Sequence, residues 1–138
     1  MRVLALDIGD SRVGIATSDA HASLALPLKV LPLHEVLDCA PSFRRIIEDY
    51  EPELLIVGLP KSLSGQEGAQ AEHIRELASQ ISKRTQLDIR YVDERLSSKE
   101  AKRILREQGL DEKAMRGKID MVAASLFLQA WLDNEAGK

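Results

Sequence analysis

Val3-Leu4-Ala5-Leu6-Asp7-Ile8-Gly9-Asp10-Ser11-Arg12-Val13-Gly14-Ile15-Ala16-Thr17-Ser18 is the stretch from which the rest of the chain can be read. Residues 2–8 form an apolar run of strand length, Gly9-Asp10-Ser11 supplies turn formers, and residues 13–18 form a second strand, so the pair predicts a hairpin. Outward from it, residues 24–33 are apolar but hold Pro27 and Pro32, which suits a third strand at a sheet edge. Pro41 opens a helix whose Phe43, Ile46, Ile47 and Tyr50 repeat at helical spacing, and Glu51-Pro52 ends it. Leu54-Leu55-Ile56-Val57 reads as a strand covered on both faces. Residues 58–68 are rich in turn formers and are expected to be a loop. A helix follows with Ala71, Ile74, Leu77, Ala78 and Ile81 on one face, then a fifth strand over 87–92. The next helix is capped by Ser97 or Ser98, carries Ala101, Ile104 and Leu105, and stops at Gly109. A last helix runs from about Ile119. This order predicts one α/β domain over 1–138, with a mixed five-stranded sheet flanked by helices.

The 138 residues suffice for a normal core, and 44% hydrophobic with 30% charged residues describes a soluble globular protein. The single cysteine, Cys39, excludes an internal disulfide and a multi-cysteine metal site, and a reducing cytoplasm is the expected compartment. Met1-Arg2 leads straight into a strand pattern, so neither a leader nor a membrane span is expected. The net charge of −3 carries no global nucleic-acid signature. Its distribution says more. Residues 35–72 are acid-rich, whereas Arg95, Lys99, Lys102, Arg103, Arg106, Lys113, Arg116 and Lys118 outnumber the acids between them. That run is either a local attraction for a polyanion or a solvated helix face.

Three acids stand out against this background. Asp7 closes an apolar strand, sharing its face with Val3 and Ala5 while Leu4, Leu6 and Ile8 point the other way. A carboxylate there needs a partner or a metal to offset desolvation; the plainer reading is a turn-capping Asp before Gly9. Glu94, within Asp93-Glu94-Arg95, follows the fifth strand, at the strand end where ligands gather in open α/β sheets; the plainer reading is a solvent exit. Asp120 opens an apolar helix and shares a stripe with Ala123, Ala124, Phe127 and Trp131; the plainer reading is a first-turn Asp favoured by the helix dipole or paired with Lys118. Two strand ends and a helix start are places where a fold brings distant side chains together. Carboxylates converging there require a cation, and hard oxygen ligands without soft partners suit Mg²⁺ or Mn²⁺.

The combination resembles the YqgF (RuvX) family of ribonuclease H-like proteins, whose members are described as Holliday junction resolvases or pre-16S rRNA nucleases. The resemblance spans nearly the whole length. It is carried by Ala5-Leu6-Asp7-Ile8-Gly9 with Arg12, Gly14, Ala16 and Ser18-Asp19; by Val57-Gly58-Leu59-Pro60 with Ser64-Gly65 and Glu67-Gly68; by Asp93-Glu94-Arg95-Leu96-Ser97; and by Lys118-Ile119-Asp120 with Ala123-Ala124. Ser97-Ser98 stands where threonine is common, which keeps the hydroxyl. The resemblance implies a ribonuclease H-like fold, an antiparallel meander of three strands with later strands parallel to the first, and catalytic, metal-binding acids at Asp7, Glu94 and Asp120.

The expected chemistry is metal-dependent hydrolysis of nucleic-acid phosphodiesters. Asp7 would bridge two Mg²⁺ or Mn²⁺ ions, with Glu94 and Asp120 holding one each. Arg12, Arg95 and Lys118 are the candidate phosphate contacts, and Gly58 and Pro60 candidate groove-lining residues. A structured RNA precursor, the 5′ end of pre-16S rRNA, is the first choice of substrate, and a branched DNA junction the second. A non-catalytic RNA-binding ribosome-assembly factor is a third reading. Asp7-Ile8-Gly9 with Gly14 also resembles the first phosphate loop of actin-like ATPases and sugar kinases, which need two lobes where this chain has room for one. Monomer and homodimer both remain open.

Overall fold

The computed structural model describes residues 1–60, 68–95 and 97–137 of the chain. Its elements run β1 (Val3–Ile8), β2 (Arg12–Ser18), β3 (Ala25–Pro32), α1 (Leu33–Leu37), α2 (Pro41–Tyr50), β4 (Leu54–Leu59), α3 (Ala69–Thr85), β5 (Asp88–Asp93), α4 (Ser97–Glu107), α5 (Glu112–Arg116) and α6 (Ile119–Ala136). The five strands form one sheet in the order β3-β2-β1-β4-β5. β1 pairs antiparallel with β2 and β2 with β3, while β4 is parallel to β1 and β5 to β4. This is the expected mixed sheet, with the Pro-bearing third strand at its edge.

β1 is buried along its whole length because both of its faces are covered. Alternation along the strand sends Leu4, Leu6 and Ile8 into one core with Phe43, Ile46, Leu55, Val57, Ile74 and Ile81, beneath α1, α2 and α3. Val3 and Ala5 go to the opposite side, where Ala16 and Ile56 meet Ala124, Phe127, Leu128 and Leu132 of α6. The small alanines on this second face admit the helix close to the sheet, and α4 packs against α6, burying Ala101 and Leu105.

Several boundaries depart from the sequence reading. The region read as loop from residue 58 begins later, since β4 continues through Gly58 and Leu59, paired with Val92 and Asp93. Residues 61–67, including the Ser64-Gly65 and Glu67 signals, lie outside the described residues, as do Leu96 and the side chain of Ser98. Two short helices, α1 and α5, were not anticipated. α1 is held by its fully buried Val36, and α5 begins where the Asp111 side chain accepts the Ala114 N–H at 2.8 Å. Gly109 ends α4 as expected, in the left-handed region at φ 85°, with Leu110 N–H donating back to the Leu105 carbonyl.

Candidate functional site

The second face of the sheet carries the only charged residue in the buried set among the described residues. Asp7, near the carboxyl end of β1, is 9% exposed and lies on the α6 side with Val3 and Ala5. Its strand neighbour on one side is Gly14 of β2. On the other side β4 separates β1 from β5, so a residue at the end of β5 reaches Asp7 only by crossing β4. Glu94 makes that crossing. Its N–H donates to the Leu59 carbonyl at 3.2 Å, placing it directly after β5. Its carboxyl passes over Gly58, where an added Cβ would stand 2.8 Å from Glu94 Oε2 and 2.8 Å from Phe127 Cε2. There the Glu94 carboxyl comes within hydrogen-bonding reach of Asp7.

Asp120 arrives from the other layer. It lies in the first turn of α6, where the helix dipole favours a carboxylate. The helix backbone at this point rests on β2: a Cβ on Gly14 would fall 2.1 Å from the Asp120 carbonyl carbon and 2.6 Å from Met121 N. Two glycines therefore set the geometry. Gly14 lets α6 touch the strand beside Asp7, and Gly58 lets Glu94 lie across β4.

The electrostatics follow from this crowding. Burial first, then the charge and hydrogen bond of Glu94, then the charge of Asp120, push Asp7 up from 3.8 to about 8. Burial also raises Glu94, helped by the charges of Asp93 and Asp120 and opposed by the hydrogen bond from Asp7. Both carboxyls of the pair are thus pushed toward the protonated form, Asp7 most clearly. Asp120 instead meets Arg12, with Nε to Oδ2 at 2.9 Å. Its partner is thus Arg12 of β2, and not the adjacent Lys118.

The structure brings Asp7, Glu94, Asp120 and Arg12 to one place. It does not gather the other sequence candidates in the same way. Arg95 folds onto Asp93, with Nε to Oδ2 at 2.6 Å and its own N–H to Oδ1 at 2.9 Å. Lys118 is exposed at the N-cap of α6. Gly58, expected on a loop with open amides, is a buried strand residue that serves Glu94 instead, and Pro60 is half-buried where β4 ends. Along α4, Lys99, Lys102, Arg103 and Arg106 are exposed, but Arg103 is held by Glu100 and by Glu107 at 2.6 Å, and Arg106 stands 3.5 Å from Glu112. Much of that basic run is therefore offset by its own helix and the next.

The donor set of three carboxylates fits a hard divalent cation, for which oxygen is the preferred ligand. As the side chains stand, no group of three or more His, Cys, Asp or Glu among the described residues is close enough together to hold a metal ion, so the acids would have to move to share one. Asp120 is engaged by Arg12 while Asp7 and Glu94 engage each other. No described helix is long and apolar enough to cross a membrane.

A five-stranded sheet of this order, with acids at the ends of the first and last strands and at the start of a helix laid across it, is the ribonuclease H-like fold. RuvC of T. thermophilus, solved in complex with a Holliday junction substrate, superposes with a TM-score of 0.57 at 14% identity, covering 99% of this chain and 96% of that one. The fowlpox virus resolvase, solved with Holliday junction DNA, gives 0.58 at 12% identity over 98% and 99%. The family model described as "RuvX: Holliday junction resolvase" matches residues 1–134, and the chain belongs to this family. A relative from Anaeromyxobacter sp. (strain Fw109-5), named "Putative pre-16S rRNA nuclease", is 38% identical over 133 residues, covering 96% of this chain and 97% of its own. One of the same name from Streptomyces coelicolor is 37% identical, covering 97% and 81%.

Proposed function

We propose that residues 1–138 act as one nuclease domain that hydrolyses nucleic-acid phosphodiesters with Asp7, Glu94 and Asp120 as its catalytic, metal-binding acids. The observation that carries this reading is the buried Asp7 carboxyl with Glu94 laid across Gly58 to meet it and Asp120 delivered beside them by the backbone contact at Gly14. A structural ion pair would not need three acids from three elements, since Glu94 and Asp120 both raise the cost of ionising Asp7. Mg²⁺ or Mn²⁺ held by these carboxylates would supply charge to the scissile phosphate and lower the pKa of a bound water. The residues of the chain do the rest. Asp7 would lose its proton to solvent on binding the ion, and Arg12 at the rim would be placed to contact a phosphate. Arg95, folded onto Asp93, and the exposed Lys118 are the further candidate phosphate contacts, and Gly58 makes room for Glu94 beside Asp7.

The substrate we favour is a structured RNA precursor, the 5′ end of pre-16S rRNA, acted on in the cytoplasm during ribosome biogenesis. Relatives at 37–38% identity carry that name, whereas the junction-bound structures at 12–14% identity support only the fold. A branched DNA junction is the second reading, favoured by the description of the family model, and it requires a two-fold dimer to cut two strands. The test is cleavage of a pre-16S rRNA 5′ fragment and a four-way DNA junction, each with and without Mn²⁺, by the wild type and Asp7→Asn. Metal-dependent cleavage of the RNA, lost in Asp7→Asn, supports the reading. Equal cleavage by Asp7→Asn removes the site, and cleavage of the junction alone removes the substrate.

A further inference from the structure

Arg12 pairs with Asp120, Nε to Oδ2 at 2.9 Å, and its placement follows from the same strand that receives α6. Arg12 and Gly14 are two apart on β2 and so lie on one face. Gly14 admits the Asp120 backbone, with the helix atoms as close as a missing Cβ allows. Arg12, one step along that face, then has Asp120 directly in reach. The backbone at Arg12 is pinned, because its carbonyl accepts the Gly9 N–H at 2.9 Å and it sits opposite Pro32 of β3. The backbone at Asp120 is pinned by Gly14. Only side-chain rotation is left to make or break the pair. The Arg12 side chain is 50% exposed and that of Asp120 25%, so the guanidinium stands at the rim and can turn to solvent without being extracted from a core. An ion pair this open is weak and exchangeable.

We infer that Arg12 is a positioning residue which holds Asp120 as its counter-ion in the metal-free protein, competes with the metal for that carboxylate, and releases it when a nucleic-acid phosphate takes the guanidinium. Metal and substrate binding are thereby coupled: a phosphate that draws Arg12 away opens Asp120 to the metal, and by linkage a metal that occupies Asp120 frees Arg12 for the phosphate. Arginine suits the exchange because its planar fork matches carboxylate and phosphate alike. The inference rests on the three acids being the metal site.

The test measures free Mn²⁺ by electron paramagnetic resonance during titration of metal-stripped protein, without nucleic acid. Wild type, Arg12→Gln, Arg12→Lys and Asp7→Asn are compared, with circular dichroism to verify folding. Arg12→Gln should bind Mn²⁺ about two- to fivefold more tightly than wild type, the range expected for deleting a weak competing ion pair. In EDTA, the same variant should bind a short RNA duplex with a log K against log salt slope smaller by about one unit. Mn²⁺ affinity that is unchanged or weaker in Arg12→Gln, or an unchanged salt slope, overturns the inference. If Arg12→Gln folds poorly, Arg12→Lys, which keeps the charge and loses the fork, should show a smaller tightening, and equal or weaker affinity there overturns it as well. Asp7→Asn separates the two readings. Should it bind Mn²⁺ as wild type does, the three-acid site itself fails and the Arg12 inference with it; should it lose the ion while Arg12→Gln shows no gain, only the Arg12 inference fails.

Discussion

Replacing Asp7 by Asn should stabilise the metal-free protein and cripple the metal-bound one. Asp7 is pushed from 3.8 to about 8 by burial, by Glu94 and by Asp120. With about 1.4 kcal/mol for each unit, the chain has lost about 4 kcal/mol by pH 7 relative to acid solution, because the unfolded chain ionises there while the folded one holds its proton. A raised acid contributes stability that is complete below its unfolded value and is lost as pH climbs to the folded one. The loss therefore accumulates between about pH 4 and pH 8. Asn has the shape of the protonated acid and can donate to Glu94, but its second N–H needs a partner, costing about 1–2 kcal/mol in a buried position. The net gain near neutral pH is about 2–3 kcal/mol, or about 6–10 °C in Tm for a chain of this size. Thermal melts in EDTA at pH 5 and pH 8 measure it. Asp7→Asn should exceed wild type by more at pH 8 than at pH 5, and saturating Mn²⁺ should shrink or reverse the difference. A variant less stable than wild type in EDTA at pH 8, or a gap independent of pH, would refute the account of a crowded, proton-holding site.

The other expectations concern the scaffold and the groove. Millimolar Mn²⁺ or Mg²⁺ should raise the Tm of wild type through binding to the folded site alone, and a Glu94→Gln, Asp120→Asn double variant should show no such rise; an equal rise would mean the ions bind elsewhere. Gly14→Ala puts a methyl group 2.1 Å from the Asp120 carbonyl carbon, against backbone that cannot rotate away. It should cost about 1–3 kcal/mol by urea denaturation and weaken Mn²⁺ binding, and a neutral effect on both would show that α6 can lift without consequence. Substituting Lys99 and Lys102 by Gln should flatten the salt dependence of RNA binding by up to about one unit per lost phosphate contact. If the slope does not move, the exposed face of α4 is simply solvated.

Much of this architecture was legible from residue pattern. The run from Val3 to Ile8 alternates between two cores, and both faces proved buried because helices cover each side. Pro27 and Pro32 marked β3 as an edge strand, where missing N–H groups do least harm. Asp7, Glu94 and Asp120 could be singled out because each interrupts or terminates an apolar stretch. What stayed hidden depends on contacts between distant segments. The pairing of Asp120 with Arg12 arises from a helix crossing a strand far away in sequence, whereas Lys118 was the nearer candidate on paper. Gly58 looked like the first residue of a loop because Pro60 and a run of turn formers follow it; the glycine in fact makes room for Glu94 inside β4. A signal was available, since an isolated glycine in a strand often marks a close approach, and the same rule applies to Gly14. α1 and α5 are too short for hydrophobic periodicity to register and are held by one buried side chain each, Val36 and Met115.

The contact between α6 and Gly14 also bears on when the candidate site can exist. All five strands precede α6 in the chain, so during synthesis the sheet with Asp7 and Glu94 can assemble before Asp120 has a helix to ride on. Until that helix docks, the face carrying Val3, Ala5 and Ala16 is uncovered and one acid is missing. The third carboxylate is thus delivered last, by the backbone contact at Gly14, and the candidate site is among the final features of the chain that can form.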